Sequence, residues 1–352
     1  MGQMGFFDLG RRYAGLDAKR DPLVALASLV PWGSFRPQLK AALVAGGLRT
    51  ATQDRKSPAG RRPWDEVLIF KALVLQALYN LSDDQMEYQL RDRLSFMRFL
   101  GLGMEDNVPD AKTLWLYREA LARAGAVEEL FDAFDVHLKA QGYLAMGGQI
   151  VDATIVAAPR QRNSREENEA VKAGETPEGW EKKPARNRQK DKDARWTKKH
   201  GRSYYGYKNH VNVDRRHKLV RRYAVTDASV HDSQKLDDIL DKANTASDVW
   251  GDSAYRSGEI ETKLAERGLK SRVHRCAARG RPLTMRQEQA NKTRSKVRAR
   301  VEHVFGHQTT AMGGKIVRTI GLVRATMKIG MGNLVYNMSR LVTLQRMAAA
   351  SG

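Results

Sequence analysis

Cysteine is almost absent. Cys276 is the only one in 352 residues, so no intrachain disulfide and no cysteine-based zinc site can form. Long apolar runs are missing too. The longest, "DPLVALASLVPWG" and "EVLIFKALVLQALYNL", are short or interrupted by Lys71, and neither spans a bilayer. The first residues, "MGQMGFFDLGRRYAG", lack a basic stretch leading into an apolar one, which argues against a secretory signal. No internal repeat is found. Acidic residues are in deficit: 40 Asp and Glu stand against 61 Lys and Arg, a formal net charge of +21. That excess implies a polyanionic partner, nucleic acid first and an acidic membrane surface a weak second. A hydrophobic content of 41% supports a sizeable core. A cytoplasmic protein acting on nucleic acid is the expectation.

What is present divides at about Gly142. Before it the pattern is helical. Residues 1–60 end in "TATQDRKSPAG", which reads as a linker. From Trp64, the residues Val67, Phe70, Leu73, Val74 and Leu78 recur at helical spacing. "NLSDDQ" stops that helix and starts the next, with Ser82 as N-cap and Gln85 completing a capping box. Asp110 is the expected cap of a further helix, and several short helices with tight turns resemble helix-turn-helix architecture. After Gly142, "GGQIVDATIVAA" reads as a buried strand. Residues 160–202 hold fourteen Lys and Arg, eight Asp and Glu and few large apolar residues. They read as a mobile basic loop. "SYYGYKNHVNVD" and "KLVRRYAVTDA" form a hairpin. "HDSQKLDDILDKA" is a helix, "SDVWGDSAYRS" a short strand, "GEIETKLAERG" a helix and "LKSRVHR" a strand. "TMRQEQANKTRSKVRARVEHVFGHQ" reads as one long helix, and another begins near Leu322.

Three carboxylates stand out. Asp152 lies inside the apolar strand, where an unpaired charge costs several kcal/mol unless it is matched or binds metal. A local cap or a buried salt bridge would also account for it. Asp252 ends a second strand; a turn-forming role beside Gly251 is the alternative. Glu302 follows Arg298 by four residues and flanks the stripe Val297, Val301, Val304 and Phe305. An i,i+4 ion pair would explain it, at only ~0.3 kcal/mol. Two carboxylates from strands and one from a helix could together hold Mg²⁺ or Mn²⁺ through hard oxygen donors. Two such ions about 4 Å apart serve phosphoryl transfer.

These segments resemble the DDE transposases of bacterial insertion sequences, and most of all the insertion-sequence-five family. The resemblance is carried by "RRPWDEVLIFKALVLQALYNLSDDQMEYQLRDRLSFMRFLGL", "VPDAKTLWLYREAL", "IVDATIVAAPRQR", "DARWTKKHGRSYYGYKNHVNVD", "VTDASVHDSQKLDDIL", "VWGDSAYRS" and "VRARVEHVFG", over roughly residues 60–310. It implies an α/β fold: an RNase H-like catalytic core, a mixed sheet flanked by helices, with an α-helical N-terminal domain. It also implies a catalytic and metal-binding triad of Asp152, Asp252 and Glu302, with an accessory arginine at Arg298. The related tyrosine-arginine-glutamate-lysine signature is incomplete. Ser295 stands at the tyrosine position and Thr309 at the lysine position, with Lys315 farther along. The activity implied is Mg²⁺-dependent cleavage of the element's ends and joining of the 3′-OH to target DNA. Two ions per site are implied, and Mn²⁺ can substitute. A nuclease of the same fold that does not join DNA, or a DNA-binding regulator without chemistry, are the alternatives.

The organisation expected is an N-terminal arm and linker over 1–60 and a helical DNA-binding or dimerisation domain over 61–141. The catalytic core then spans 142–310 with a basic insertion at 160–202, and a helical tail spans 311–352. Partners would be double-stranded DNA, both terminal inverted repeats and target, and a second copy of the chain on that DNA. The location would be cytoplasmic, on the nucleoid when bound. Candidate DNA contacts are Arg195, Trp196, Lys198, Lys199, Arg202, Tyr207, Lys208, Asn209 and His210, where cations would grip phosphates and aromatics could stack on bases. Tyr255, Arg256 and Arg298 complete the set. A solvated basic loop over core tyrosines is the other reading of 195–210.

Overall fold

The structure, a computed structural model, describes residues 8–50, 62–199, 201–277 and 280–350. The linker expected at "TATQDRKSPAG" lies almost wholly outside them. The contacts divide the chain into two compact units. One holds the described residues up to His137 and those from Leu334 onward; the other is Leu138–Asn333.

The first unit is helical. Its helices include Pro22–Leu29, Arg36–Ala45, Glu66–Tyr79, Asp83–Asp92, Leu94–Leu100 and Ala111–Arg123. Phe35, Phe70 and Phe134 are fully buried and join Trp32 and Phe99 in one aromatic cluster. Residues 22–45 therefore belong to this core rather than to a separate arm. The expected caps are present. Asn80 in the left-handed conformation ends the helix Glu66–Tyr79. Ser82 and Gln85 form the capping box that starts the next, and Asp110 accepts the Thr113 N–H at 2.6 Å.

The second unit is built on a six-stranded mixed sheet: β1 (Gln149–Ala157), β2 (Arg195–Lys199), β3 (Arg202–Asp214), β4 (Val220–Asp227), β5 (Asp248–Trp250) and β6 (Lys270–Ser271). The central strand β1 pairs antiparallel with β3 on one side and parallel with β5 on the other. β3 also pairs with β4 and, at its start, with β2; β6 runs parallel to β5. Helices such as Gly258–Glu266 and Met285–Arg298 flank the sheet. This is the α/β class expected: an RNase H-like mixed sheet flanked by helices, in a chain that also has a helical N-terminal region. One close approach needs glycine. Gly206 has φ +153°, and a methyl group there would run into the backbone of Val156 and Ala158.

Three expectations are corrected. The segment 160–194 is folded rather than a mobile loop. It contains helices Arg165–Lys172 and Pro184–Arg188 around Trp180, which is 1% exposed. The Trp180 indole N–H donates to Glu167 at 2.7 Å, Arg186 bonds the same carboxylate oxygen, and Lys190 sits over the ring. One large aromatic with a paired carboxylate organises a segment whose average composition looks disordered. The "HDSQKLDDILDKA" helix shrinks to a short turn, Asp232–Lys235, and one helical turn, Leu236–Ile239. The long helix at 284–308 is interrupted after Arg298.

Candidate active site

Strand register places the first two carboxylates. β1 and β5 run parallel with Gln149 opposite Val249 and Ile150 opposite Trp250. Carried two residues past the end of β5, the same register sets Asp152 level with Asp252, and the Asp252 charge does act on Asp152. On parallel strands level residues face the same side, with strands ~4.8 Å apart. On its other side the chain past β5 stays aligned with the continuation of β6, since His274 N–H donates to the Gly251 carbonyl at 3.2 Å. Asp252 caps the turn Ser253–Tyr255, accepting the Ala254 N–H at 2.9 Å. Asp152 accepts the Ala153 N–H at 2.8 Å through one oxygen and Arg298 Nη1 at 2.6 Å through the other.

Electrostatics couple these groups. Asp152 is 6% exposed, and burial pushes its carboxyl up to about 6. Arg298 and the Ala153 N–H pull it down, the Asp252 charge raises it, and Lys199 is near enough to lower it. Two level carboxylates, one buried, form a like-charge pair.

Glu302 does not join them. It is exposed, and among the described residues no group of three or more His, Cys, Asp and Glu side chains is placed to hold a metal ion. The helix Met285–Arg298 ends where Glu302 would otherwise follow on the same face, and a new turn, Glu302–Gly306, begins there. Val301, Val304 and Phe305 are buried as expected. As a donor set, Asp152 and Asp252 fit a hard divalent cation, which would relieve their mutual repulsion. The glutamate does not complete that set in this arrangement.

One residue near the pair, His274, escaped the sequence reading. His274 stands by Asp252 and Arg298, whose charges act on its ring, and its Nε2 is 3.3 Å from the Ser295 hydroxyl. Its position at the end of the "LKSRVHR" strand, next to β5, was the available signal. Tyr255 is fully buried, and its hydroxyl has no hydrogen-bond partner. Burial first, then the charges of Asp232, Asp152 and Asp252, raise it well above a phenol's usual range. Asp232 pairs with Lys208 at 2.8 Å.

The DNA-contact candidates separate into two groups. Trp196, Lys198, Lys199 and Arg202 are exposed on the β2–β3 hairpin, with Arg160 over the Trp196 ring. Tyr207, Asn209 and His210 are buried in β3 and present nothing to a ligand, which corrects that part of the expectation. The Tyr207 hydroxyl donates to Asp191, Asn209 pairs with Asn333, and His210 bonds Thr226. Tyr255, buried likewise, cannot touch a phosphate as it stands. The Arg195 guanidinium donates to the Lys192, Ala194 and Val171 carbonyls, and Lys208 to Val230 and Asp232, so both are committed to the protein. Arg256 donates to the Val273 carbonyl. β3 is covered on both faces, so alternation along it does not separate inside from outside.

Comparison with known proteins gives two matches. A family model described as Transposase DDE domain matches residues 144–338. A second, described as Transposase domain (DUF772), matches residues 11–120. No solved structure matches the chain.

Proposed function

The chain belongs to the Transposase DDE domain family, and from that premise we propose that it is an insertion-sequence transposase of the insertion-sequence-five kind, which cuts the ends of its element and joins each 3′-OH to target DNA. The observation that carries this reading is the electrostatic proximity of Asp152, on β1, to Asp252, just past the parallel neighbour β5, with Arg298 against the buried member. Water opens the phosphodiester at the element's end and leaves a 3′-OH. That hydroxyl then attacks a target phosphodiester in line, and no covalent protein–DNA intermediate is involved.

Asp152, Asp252 and, after a change in its turn, Glu302 would hold Mg²⁺ or Mn²⁺. When bound, such ions activate an attacking oxygen and stabilise a leaving one. The protein's own groups do the rest. Lys198, Lys199 and Arg202 grip phosphates, with Lys199 near enough to act on Asp152. Arg298 offers a planar fork that suits either a carboxylate or a phosphate. Burial keeps Asp152 out of bulk water, so its charge acts strongly on whatever lies next to it. The helical unit that carries the second family match would recognise the terminal repeats or pair two copies on DNA. No described helix is long and apolar enough to cross a membrane, and the reading places the protein on the nucleoid.

The test is a strand-transfer assay with a donor carrying the element's ends, a target plasmid and Mg²⁺. Joined product is expected from the wild type. Asp152→Ala, Asp252→Ala and Glu302→Ala should each abolish it while changing DNA retention by no more than about twofold, since phosphate contacts carry affinity. Full activity in any of the three overturns the assignment. Cut ends without joined product would make the protein a nuclease of the same fold.

A further inference from the structure

We propose that residues 299–311 form a two-position element in which Arg298 and Gln308 hold Glu302 away from the aspartates, and that releasing them lets Glu302 join the pair. The proposal rests on the reading of Glu302 as the third carboxylate.

The winding of this segment is abnormal in two opposite senses. Five consecutive amides bond three residues back rather than four: Arg300 to Val297, Val301 to Arg298, Glu302 to Ala299, His303 to Arg300 and Val304 to Val301, at 2.9–3.3 Å. An α-helix turns about 100° per residue, and this tighter 3₁₀ winding turns about 120°. Over the four residues from Arg298 to Glu302, α winding would leave the two about 40° apart on one face. The tighter winding separates them by about 120°. Arg298 therefore reaches Asp152 while Glu302 turns toward solvent. Immediately afterwards His307–Ala311 is underwound into a π turn, closed by Met312 N–H on the His307 carbonyl at 3.1 Å. Excess twist before Glu302 is offset by a deficit after it.

Beyond the segment the chain is fixed to the strand that carries Asp152: Ala157 of β1 bonds both Lys315 and Val317 through the backbone. Twist can thus pass between the two turns without moving that anchor when Arg298 lets go. Val301 and Val304, both fully buried, are three residues apart. That spacing shares a face in either winding, so the apolar anchor survives the exchange.

Both holding contacts are built to let go. Asn209 and Asn333 form a reciprocal amide pair, at 2.9 and 3.1 Å. Gln308 Nε2 donates to the second lone pair of the same Asn333 oxygen, at 2.8 Å. If Gln308 leaves, neither buried amide loses its partner. Arg298 on Asp152 keeps its Nε buried and unbonded. A phosphate, which accepts two guanidinium N–H groups at once, offers it a better partner. An arriving DNA backbone would then draw Arg298 off Asp152 just where the segment must rewind.

The experiment uses the full chain and Mn²⁺ alone as the probe. Gln308→Leu removes the donor; Gln308→Glu keeps the length and sets acceptor against acceptor, so two independent variants address the same contact. Hydrogen exchange without metal should rise about tenfold at amides 300–304 in both, with β1 and β3 unchanged. Mn²⁺ binding, read by calorimetry, should tighten about fivefold in both. Adding Glu302→Gln should erase that gain. Unchanged exchange together with unchanged Mn²⁺ affinity overturns the proposal, as does a gain that persists without Glu302. A different result would sink the underlying site reading: Mn²⁺ bound by the wild type with the same affinity as by Asp152→Asn.

Discussion

Arg298 and Asp152 lie 146 residues apart in the chain and 2.6 Å apart in space. The arginine is the countercharge of a carboxylate that is almost fully buried, and it stands at the end of the helix that should have carried Glu302 onward.

Removing the countercharge should destabilise the protein only where Asp152 is ionised. Arg298→Ala is expected to cost about 2 kcal/mol at pH 8, less than a fully buried pair because the guanidinium is partly exposed. At pH 5 the cost should nearly vanish, as Asp152 is then protonated. Urea unfolding at both pH values measures it.

Asp152 itself sets a pH window. Its folded value, about 6, lies above the ordinary 3.8, so between those values the folded state binds more protons than the unfolded one. Its contribution to stability therefore declines as pH rises from about 4 to about 6. Divalent-cation binding needs the ionised form and should weaken as pH drops below about 6. Asp152→Asn should flatten the stability profile across that interval.

His210 predicts the opposite slope. It is fully buried, its Nδ1 has no hydrogen-bond partner, and burial lowers its ring to about 4 from 6.5. The unfolded chain takes up the proton first as pH falls, so stability is lost between about 6.5 and 4. His210→Gln, if it folds, should lose less stability than the wild type between pH 7 and pH 5 in parallel denaturant titrations.

Trp180→Ala should unfold the 160–194 segment and leave the sheet intact. Removing a buried tryptophan costs about 3–5 kcal/mol, and the ring is what Glu167, Arg186 and Lys190 assemble on. Limited proteolysis should cut within 160–194 at least about tenfold faster, while exchange protection in β1 and β3 stays unchanged.

Gly206→Ala is expected to damage the β1–β3 ladder rather than a turn, because an added Cβ would run into the backbone of Val156 and Ala158. A loss of about 3 kcal/mol or more is expected, read as a shifted urea midpoint.

Much of this was legible beforehand. Asp152 in an apolar run, Asp252 after a short strand and the Ser82–Gln85 box are local patterns, and local patterns survive folding. The family resemblance named the transposase class that the matched models support. Glu302 was harder to read, because its helical periodicity is consistent with a continuous helix and nothing local encodes the tightened turn. Trp180 shows a second limit: composition averages over a window, whereas one indole with a paired carboxylate can order it. Tyr207, Asn209 and His210 show a third. Their residue types suit a DNA surface, yet strand neighbours on both sides and cover on both faces put them inside.

The 160–194 segment leaves the central strand β1 after Ala157 and returns as the edge strand β2, which pairs only with the start of β3. Its length and charge can therefore drift, or be exchanged for another module, without shifting the level at which Asp152 and Asp252 meet. The fold separates a part free to diversify from the strands that set the two aspartates.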